Sequence, residues 1–170
     1  MLRAPVPDLL LPSVLALTPE ALRRRGVKLL LLDLDNTLAP YGVNDVSPEI
    51  RRWLAALTGA GIEPYIFSNN RGGRPAAFAA QLGLGFVGRA KKPNPRRLLA
   101  LLAEKGLERG EAALIGDQIY TDIFCARRAG VLAVAVRPID ARAPHRALRY
   151  ASESPFRLAA RLRGNKQPVE

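Results

Sequence analysis

Residues that build covalent cross-links or soft metal sites are nearly absent from this sequence, which holds one cysteine and one histidine. The single cysteine, Cys125, excludes an internal disulfide and a metal site made of several cysteines. His145 is remote from it in the sequence, so we interpret Cys125 as a small buried residue rather than a nucleophile. This cysteine usage predicts a cytoplasmic protein.

The sequence also lacks an apolar run long enough to cross a membrane, which takes roughly 20 residues. Asp33 interrupts the leucine-rich run that begins at Leu29. The leucines at 9–11 lie among prolines, form too short a run for a signal peptide, and precede no small-residue cleavage site. With 170 residues, of which 48% are hydrophobic, the chain can form one domain with a substantial core.

Acidic residues are few beside basic ones: 15 against 26, for a net charge of +11. This excess predicts affinity for anionic partners such as nucleic acid, phospholipid surfaces or phosphorylated substrates. Charge does not choose among these partners, and solubility alone would also explain it.

The C-terminal segment, residues 137–170, is basic, with seven arginines and one lysine against three acidic residues. A helical pattern begins at Ser154. Its apolar side holds Phe156, Ala159, Ala160 and Leu162, and its more exposed side holds Arg157, Arg161 and Arg163. A basic amphipathic helix fits peripheral association with an anionic membrane, and a terminal helix packed on the domain fits the pattern equally well.

Short apolar runs alternate with helical patterns through the middle of the chain. The predicted strands are 29–32, 64–67, 86–87, 112–115 and 131–136. This alternation is typical of an α/β fold, a three-layer Rossmann-like parallel sheet with helices on both faces. We expect an N-terminal arm and short helix at 1–27, a core at 28–136, and a basic tail at 137–170 that packs on the core or extends from it.

Polar side chains follow three of the predicted strands. They are Asp33 and Asp35 after the first, Ser68 and Asn69 after the second, and Asp117, with Asp122 one helical turn later, after the fourth. Parallel strands bring such ends to one edge of a sheet, and Lys92 lies in a loop that could reach the same edge. One aspartate alone would more often begin a turn or cap a helix. Together, carboxylates, a hydroxyl, backbone amides and an ammonium suit Mg²⁺-assisted phosphoryl transfer.

These residues also carry a family resemblance. The segments Asp33-Leu34-Asp35-Asn36-Thr37-Leu38, Ser68-Asn69-Asn70, Lys92-Pro93 and Gly116-Asp117-Gln118-Ile119-Tyr120-Thr121-Asp122 resemble the four motifs of the haloacid dehalogenase-like (HAD) hydrolase superfamily. They occur in order over about residues 28–136. The Thr18-Pro19-Glu20 entry, the last motif and the small size further resemble the YqeG-type branch of subfamily IIIA, which is related to phosphatidylglycerophosphate phosphatases.

The resemblance implies a HAD-like catalytic core with Asp33 as the nucleophile that forms an aspartyl-phosphate and also ligates Mg²⁺. Asp35 would be the general acid and base, with its backbone carbonyl as a second metal ligand, and Asp117 would be a third ligand. Lys92 would stabilise the charge on the nucleophile and on the transferring phosphoryl group. The second aspartate marks phosphatases rather than dehalogenases in this family.

The remaining motif residues have supporting roles under the same resemblance. Ser68, Asn69, Thr37 and Lys92 would bind the substrate phosphate, and Thr37 would also orient the aspartates. Asp122 would stabilise the metal site or Lys92 without itself contacting the metal or the substrate. The chain has no room for a cap domain between these motifs, so the site is expected to be open to a large or surface-bound phosphomonoester.

Two functions follow from different readings of the basic, open site. The first is a Mg²⁺-dependent phosphatase, with phosphatidylglycerophosphate as an attractive substrate. The alternative is a non-enzymatic RNA- or ribosome-associated protein that uses the phosphate pocket for binding. Asp33 and Asp35 argue against the second, because anion binding needs no carboxylates. Nucleic-acid binding also usually interleaves aromatic with basic residues, and the basic tail holds only Tyr150 and Phe156.

Overall fold

The computed structural model describes residues 4–140 and 142–164 and contains a six-stranded parallel sheet. The strands are β1 (Leu9–Leu11), β2 (Leu29–Leu32), β3 (Glu63–Phe67), β4 (Gly85–Val87), β5 (Ala112–Gly116) and β6 (Leu132–Val136). Their order across the sheet is β1-β6-β5-β2-β3-β4, so β2 lies centrally between β5 and β3. This confirms the predicted α/β class.

Seven α-helices flank the sheet within these residues. They are α1 (Pro19–Arg23), α2 (Pro48–Gly59), α3 (Arg74–Leu82), α4 (Arg96–Lys105), α5 (Phe124–Ala129), α6 (Pro144–Ser152) and α7 (Ser154–Leu162). Proline occupies the first turn of α1 and α2, and the Thr18 and Ser47 hydroxyls before it accept hydrogen bonds from the amides of Ala21 and Ile50. A hydroxyl residue followed by proline is thus a local sequence signal for the start of both helices.

The four leucines of β2 are fully buried and divide between two cores. Leu30 and Leu32 join a cluster that contains residues of α1, α2 and α3, whereas Leu29 and Leu31 join one that contains residues of α4 and α5. Alternate side chains of a strand point to opposite faces, so an uninterrupted apolar run serves both cores. The result is a three-layer arrangement with β2 at its centre.

The connections between the strands are short. Within the described residues only α2 lies between β2 and β3, and α3, β4 and α4 lie between β3 and β5. No cap domain is inserted there, as predicted, and the edge formed by the carboxyl ends of the strands stays open. No helix among residues 4–140 and 142–164 is long and apolar enough to span a bilayer.

The two ends of the chain differ from the sequence predictions. Leu9–Leu11, expected to be part of an irregular arm, forms β1 and pairs in parallel with β6. The tail contains two helices, and His145 lies in the first turn of α6. Helix α7 packs against β1, so residues 154–162 of the tail lie against the core. The division of the chain into arm, core and tail remains a prediction.

The predicted faces of α7 were wrong at two positions. Arg157, expected to be exposed, is 4% exposed, and Leu162, expected on the apolar side, is 80% exposed. Arg157 is buried because its guanidinium bonds to Glu153 and to two backbone carbonyls, which offsets the cost of removing the charge from water.

Candidate active site

Asp33 follows β2 and lies at the centre of the polar cluster. Its Oδ1 accepts a hydrogen bond from Lys92 Nζ at 2.6 Å, and its Oδ2 accepts one from Thr37 Oγ1 at 3.0 Å. The Thr37 hydroxyl in turn accepts from the Asp117 amide at 3.1 Å, which joins the ends of β2 and β5. Asp33 retains 6% exposure, so solvent still reaches this residue.

The Lys92 ammonium lies between two buried carboxylates. Its Nζ is 2.6 Å from Asp33 Oδ1 and 2.7 Å from Asp122 Oδ1, and it also donates to the Phe67 carbonyl at 2.9 Å. Burial lowers the pKa of Lys92, but the carboxylates of Asp122 and Asp33 raise it, and the net shift is upward. Lys92 therefore remains charged and neutralises part of the cluster.

Asp117 follows β5 and is almost fully buried. Arg149 Nη2 of α6 donates to its Oδ2 at 3.0 Å, and Thr37 Oγ1 lies 3.4 Å from its Oδ1. Burial raises the pKa of Asp117 to about 8, and the charges of Asp33 and Asp122 act in the same direction. The Arg149 guanidinium opposes this rise in pKa without cancelling it, so a further cation would favour the ionised form of Asp117.

Asp122 packs against the end of β5 because Gly116 has no side chain. Its Oδ2 accepts a hydrogen bond from the Gln118 amide at 3.1 Å. A Cβ on Gly116 would lie 2.3 Å from the Asp122 carboxylate carbon, far inside van der Waals contact. Gly116 thus allows Asp122 to reach Lys92 from beneath the strand end.

The donor set fits a divalent cation. One carboxylate oxygen from each of Asp33, Asp117 and Asp122 lies within 4.8 Å of the others. Within residues 4–140 and 142–164, the cationic side chains that pair with these carboxylates are those of Lys92 and Arg149, so ionisation of all three carboxyl groups would leave an excess of negative charge. Carboxylate oxygens are the hard ligands that Mg²⁺ prefers. A cation held there would relieve the repulsion that raises the pKa of Asp117.

The Asp35 side chain lies apart from the three-carboxylate cluster. Its Oδ1 pairs with Arg74 Nη1, and its Oδ2 accepts from Asn70 Nδ2 at 3.1 Å. Arg74 Nη2 also donates to the carbonyls of Pro40 and Val43. Arg74 therefore fixes Asp35 to the loop after β2, and no sequence signal marked this arginine.

The loop after β3 is joined to Lys92 by backbone and amide contacts. Asn69 Nδ2 donates to the Lys92 carbonyl at 3.0 Å, and the Lys92 amide donates to Asn69 Oδ1 at 2.7 Å. The buried Ser68 hydroxyl accepts from the Asn70 amide at 3.1 Å. The structure thus brings Ser68, Asn69 and Lys92 together with the aspartates at one sheet edge, as the strand pattern predicted.

A buried ion pair from the C-terminal helices lies behind the Asp117 loop. Glu153, which has no solvent exposure, accepts from the Ile119 amide at 2.9 Å and from Arg157 Nη2 at 3.1 Å. Arg157 also donates to the carbonyls of Asp117, at 2.5 Å, and Val136, at 3.2 Å. Sequence reasoning missed Glu153 and placed Arg157 on the exposed side, although opposite charges four positions apart on a helix indicate a pair.

Cys125 is a residue of α5 and is fully buried in the core cluster that α5 forms with α4 and the sheet. Burial raises the pKa of its thiol to about 12, so the thiolate that a nucleophile requires is not populated near neutral pH. The prediction of a small buried residue is confirmed.

A family model described as haloacid dehalogenase-like hydrolase matches residues 41–130, and the chain belongs to this family. It is 31% identical over 134 residues to the probable phosphatase YqeG of Bacillus subtilis (strain 168), covering 79% of this chain and 78% of that protein. It is 30% identical over 143 residues to the chloroplastic phosphatidylglycerophosphate phosphatase 1 of Chlamydomonas reinhardtii, covering 79% of this chain. The match spans 53%, about half, of that relative's length.

Among solved structures, a putative 3-deoxy-D-manno-octulosonate 8-phosphate phosphatase from Vibrio cholerae superposes with a TM-score of 0.55 at 17% identity. The match covers 88% of this chain and 93% of that one and shows the same fold. The family predicted from the four motifs is confirmed, and so is the prediction of a phosphatase of this superfamily.

Proposed function

We propose that this protein hydrolyses a phosphomonoester through an aspartyl-phosphate on Asp33, with Mg²⁺ held by Asp33, Asp117 and the Asp35 backbone carbonyl. The observation that carries the proposal is the Lys92 ammonium, which lies between Asp33 and Asp122 while Asp117 is close by. An anion-binding protein has no use for three buried carboxylates, whereas a phosphoryl-transfer enzyme uses them for metal and nucleophile. The RNA- or ribosome-associated alternative is not favoured by the phosphatase relatives.

When bound, Mg²⁺ would offset the repulsion between the Asp33 carboxylate and the substrate phosphate. A carboxylate oxygen of Asp33 attacks phosphorus, the ester P–O bond breaks, and the Asp35 carboxyl group protonates the leaving oxygen. Lys92, the Ser68 hydroxyl and the Asn69 amide stabilise charge on the transferring oxygens. Water then attacks phosphorus, gives its proton to Asp35, and releases phosphate with the Asp33 carboxylate restored.

Thr37 and Asp122 act as positioning residues in this proposal. The Thr37 hydroxyl contacts both Asp33 and the Asp117 amide, which supports its predicted role in orienting the aspartates. The predicted contact of Thr37 with substrate phosphate stays a prediction, since these two contacts already use its proton and one lone pair. Asp122 orients Lys92 through the 2.7 Å ion pair.

We further propose a lipid phosphate, such as phosphatidylglycerophosphate, presented at an anionic membrane. The open strand edge, the net charge of +11, and the resemblance to a phosphatidylglycerophosphate phosphatase support this substrate. Three leucines of α6 and α7 are also largely exposed: Leu148 at 73%, Leu158 at 55% and Leu162 at 80%. Exposed leucines on basic helices suit insertion into a lipid surface. A cytoplasmic protein that binds the membrane peripherally would meet this substrate.

The test is phosphate release from phosphatidylglycerophosphate in mixed micelles, with Mg²⁺ and with chelator. Asp33→Asn serves as the control, because it keeps the side-chain shape and removes the nucleophile. Mg²⁺-dependent release that is lost in Asp33→Asn supports the chemistry and the lipid. If the protein hydrolyses an aryl phosphate but releases no phosphate from the lipid, phosphatidylglycerophosphate is not its substrate. If Asp33→Asn still hydrolyses substrate, Asp33 is not the nucleophile.

A further inference from the structure

A cleft with a volume of about 550 Å³ adjoins the residues that would hold the transferred phosphate. It is lined by Asn69 and Lys92 and by three further basic residues, Arg71, Arg89 and Lys91. Pockets of a few hundred cubic ångströms commonly bind small ligands. The cleft therefore shares Asn69 and Lys92 with the proposed phosphate-binding residues and is large enough for a substrate group beyond the phosphomonoester.

The cationic side chains of this cleft are not balanced by acidic partners. Arg71, Arg89 and Lys91 are exposed, and none of them belongs to any ion pair among residues 4–140 and 142–164. By contrast, the arginines near the aspartates, Arg74 and Arg149, are both paired. Three uncompensated cations around a concave surface concentrate positive potential there and attract an anion.

Backbone hydrogen bonds connect the segment that carries Arg89 and Lys91 to the loop after β3, residues 68–70, which we call the phosphate loop. Arg89 and Lys91 have φ angles of 49° and 59°, a left-handed conformation that residues with side chains seldom adopt outside functional loops. The Arg89 amide donates to the Asn70 carbonyl at 3.1 Å, and the buried Ala90 amide donates to the Ser68 carbonyl at 2.9 Å. Cleft and phosphate loop thus form one connected unit.

We propose that this cleft binds a second anionic group of the substrate while Ser68, Asn69 and Lys92 hold the phosphoryl group that is transferred. The inference rests on the phosphatase function proposed above. A single phosphomonoester needs no additional cations beyond Lys92 and the metal, whereas arginine and lysine bind a second oxyanion through charge-assisted hydrogen bonds. The substrate class is a phosphomonoester that carries a nearby phosphodiester or carboxylate, which includes phosphatidylglycerophosphate.

The experiment compares kcat/KM of the full chain, with Mg²⁺, on three soluble compounds. Glycerol 3-phosphate has no second anion, 3-phosphoglycerate adds a carboxylate, and the deacylated headgroup of phosphatidylglycerophosphate adds a phosphodiester. The test variant is Arg71→Gln/Arg89→Gln/Lys91→Gln. The matched control, Arg23→Gln/Arg24→Gln/Arg163→Gln, removes the same charge from exposed positions outside the cleft.

The native chain is expected to prefer at least one two-anion compound over glycerol 3-phosphate by roughly tenfold or more, and the compound preferred identifies the second group. The test variant loses at least about tenfold of that preference, and the control retains it. If the test variant loses the same factor in kcat/KM on all three compounds, or if the native chain shows no preference, the second anion-binding subsite is wrong. Either result leaves the proposed phosphatase function intact. No hydrolysis of any compound or of an aryl phosphate overturns both proposals.

Discussion

Arg157 donates a hydrogen bond to the backbone carbonyl of Asp117 across 40 positions of sequence, at 2.5 Å. The same guanidinium pairs with Glu153, which accepts from the Ile119 amide. The C-terminal helices therefore hold both sides of the loop that presents Asp117. The position of one proposed metal ligand depends on residues far outside the four motifs.

Replacing Arg157 with methionine is expected to destabilise the protein by about 3–5 kcal/mol, because buried Glu153 loses its 3.1 Å ion pair and keeps only the longer, 4.0 Å contact with Arg149 as an ion pair. Affinity for Mg²⁺ should also fall, by roughly tenfold or more, since supporting contacts commonly contribute that much to metal binding. Denaturant unfolding measures the first effect, and calorimetric titration of Mg²⁺ into the folded protein measures the second. Arg161→Met, at an exposed position of the same helix, is the control. Unchanged Mg²⁺ affinity in a folded Arg157→Met would show that Arg157 does not position Asp117.

Gly116→Ala is expected to displace Asp122, because the added Cβ would lie 2.3 Å from its carboxylate carbon. Overpacking of this kind costs about 1–3 kcal/mol of unfolding free energy. It should also reduce turnover, since Asp122 would no longer orient Lys92. Gly59→Ala is the matched control, because a Cβ there meets nothing within 4 Å. Turnover and thermal unfolding are measured for both variants. Equal turnover and equal unfolding temperatures of the two variants would contradict the proposed displacement of Asp122.

The Cys125 thiol is expected to resist modification in the folded protein. Burial raises its pKa to about 12, so the reactive thiolate is scarce and the sulfur is out of reach of reagent. Reaction with a chromogenic disulfide reagent should be at least about tenfold slower in the native state than in denaturant. Rapid native modification would contradict the burial of Cys125.

The same shift gives Cys125 a pH-dependent contribution to stability. The folded pKa lies above the unfolded value of about 8.5, so the contribution is complete below that value and declines as pH rises toward 12. Between pH 8 and pH 10 the loss should reach up to about 2 kcal/mol. Cys125→Ala removes this titration, so its unfolding free energy should fall less over the interval. If the unfolding free energies of the native chain and Cys125→Ala fall equally with pH, Cys125 does not make this contribution.

Membrane binding is expected to depend on the exposed leucines of α6 and α7. Leu148→Gln/Leu158→Gln/Leu162→Gln should weaken binding to vesicles that contain phosphatidylglycerol by about tenfold or more, because each leucine contributes roughly 1 kcal/mol on insertion. Leu15→Gln, at a half-exposed leucine outside these helices, should bind as the native chain does. Vesicle sedimentation measures both. Equal binding by the native chain and both variants would show that the exposed leucines of α6 and α7 do not contact the membrane.

The central fold could be predicted from the sequence because its signals are local. Leu29–Leu32 shows a strand buried on both faces, and Thr18-Pro19 and Ser47-Pro48 mark helix starts. The rule that parallel strands end at one edge then brings Asp33, Ser68 and Asp117 together without knowledge of the side chains. In the structure Thr37 links Asp33 with Asp117, and Lys92 links Asp33 with Asn69, the residue after Ser68.

The remaining features depend on partners distant in sequence. Leu9–Leu11 is a strand only because β6, more than a hundred residues later, supplies its hydrogen bonds. Arg157 looks like an exposed helix residue until Glu153 and the Asp117 carbonyl are seen beside it. Arg74 likewise has no local signal for its pairing with Asp35. Periodicity describes which side of an element is polar, and it does not identify a buried charge with a remote acceptor.

The parallel pairing of β1 with β6 and the contacts of Arg157 have a consequence for biosynthesis. Strand β1 is synthesised before β6 and cannot form this pairing until β6 has been synthesised. A nascent chain that ends before Glu153 already carries all four motifs, yet it lacks the two side chains that hold the Asp117 loop. Because such long-range contacts form late in folding, we expect the proposed metal site to be completed only after Glu153 and Arg157 have been synthesised.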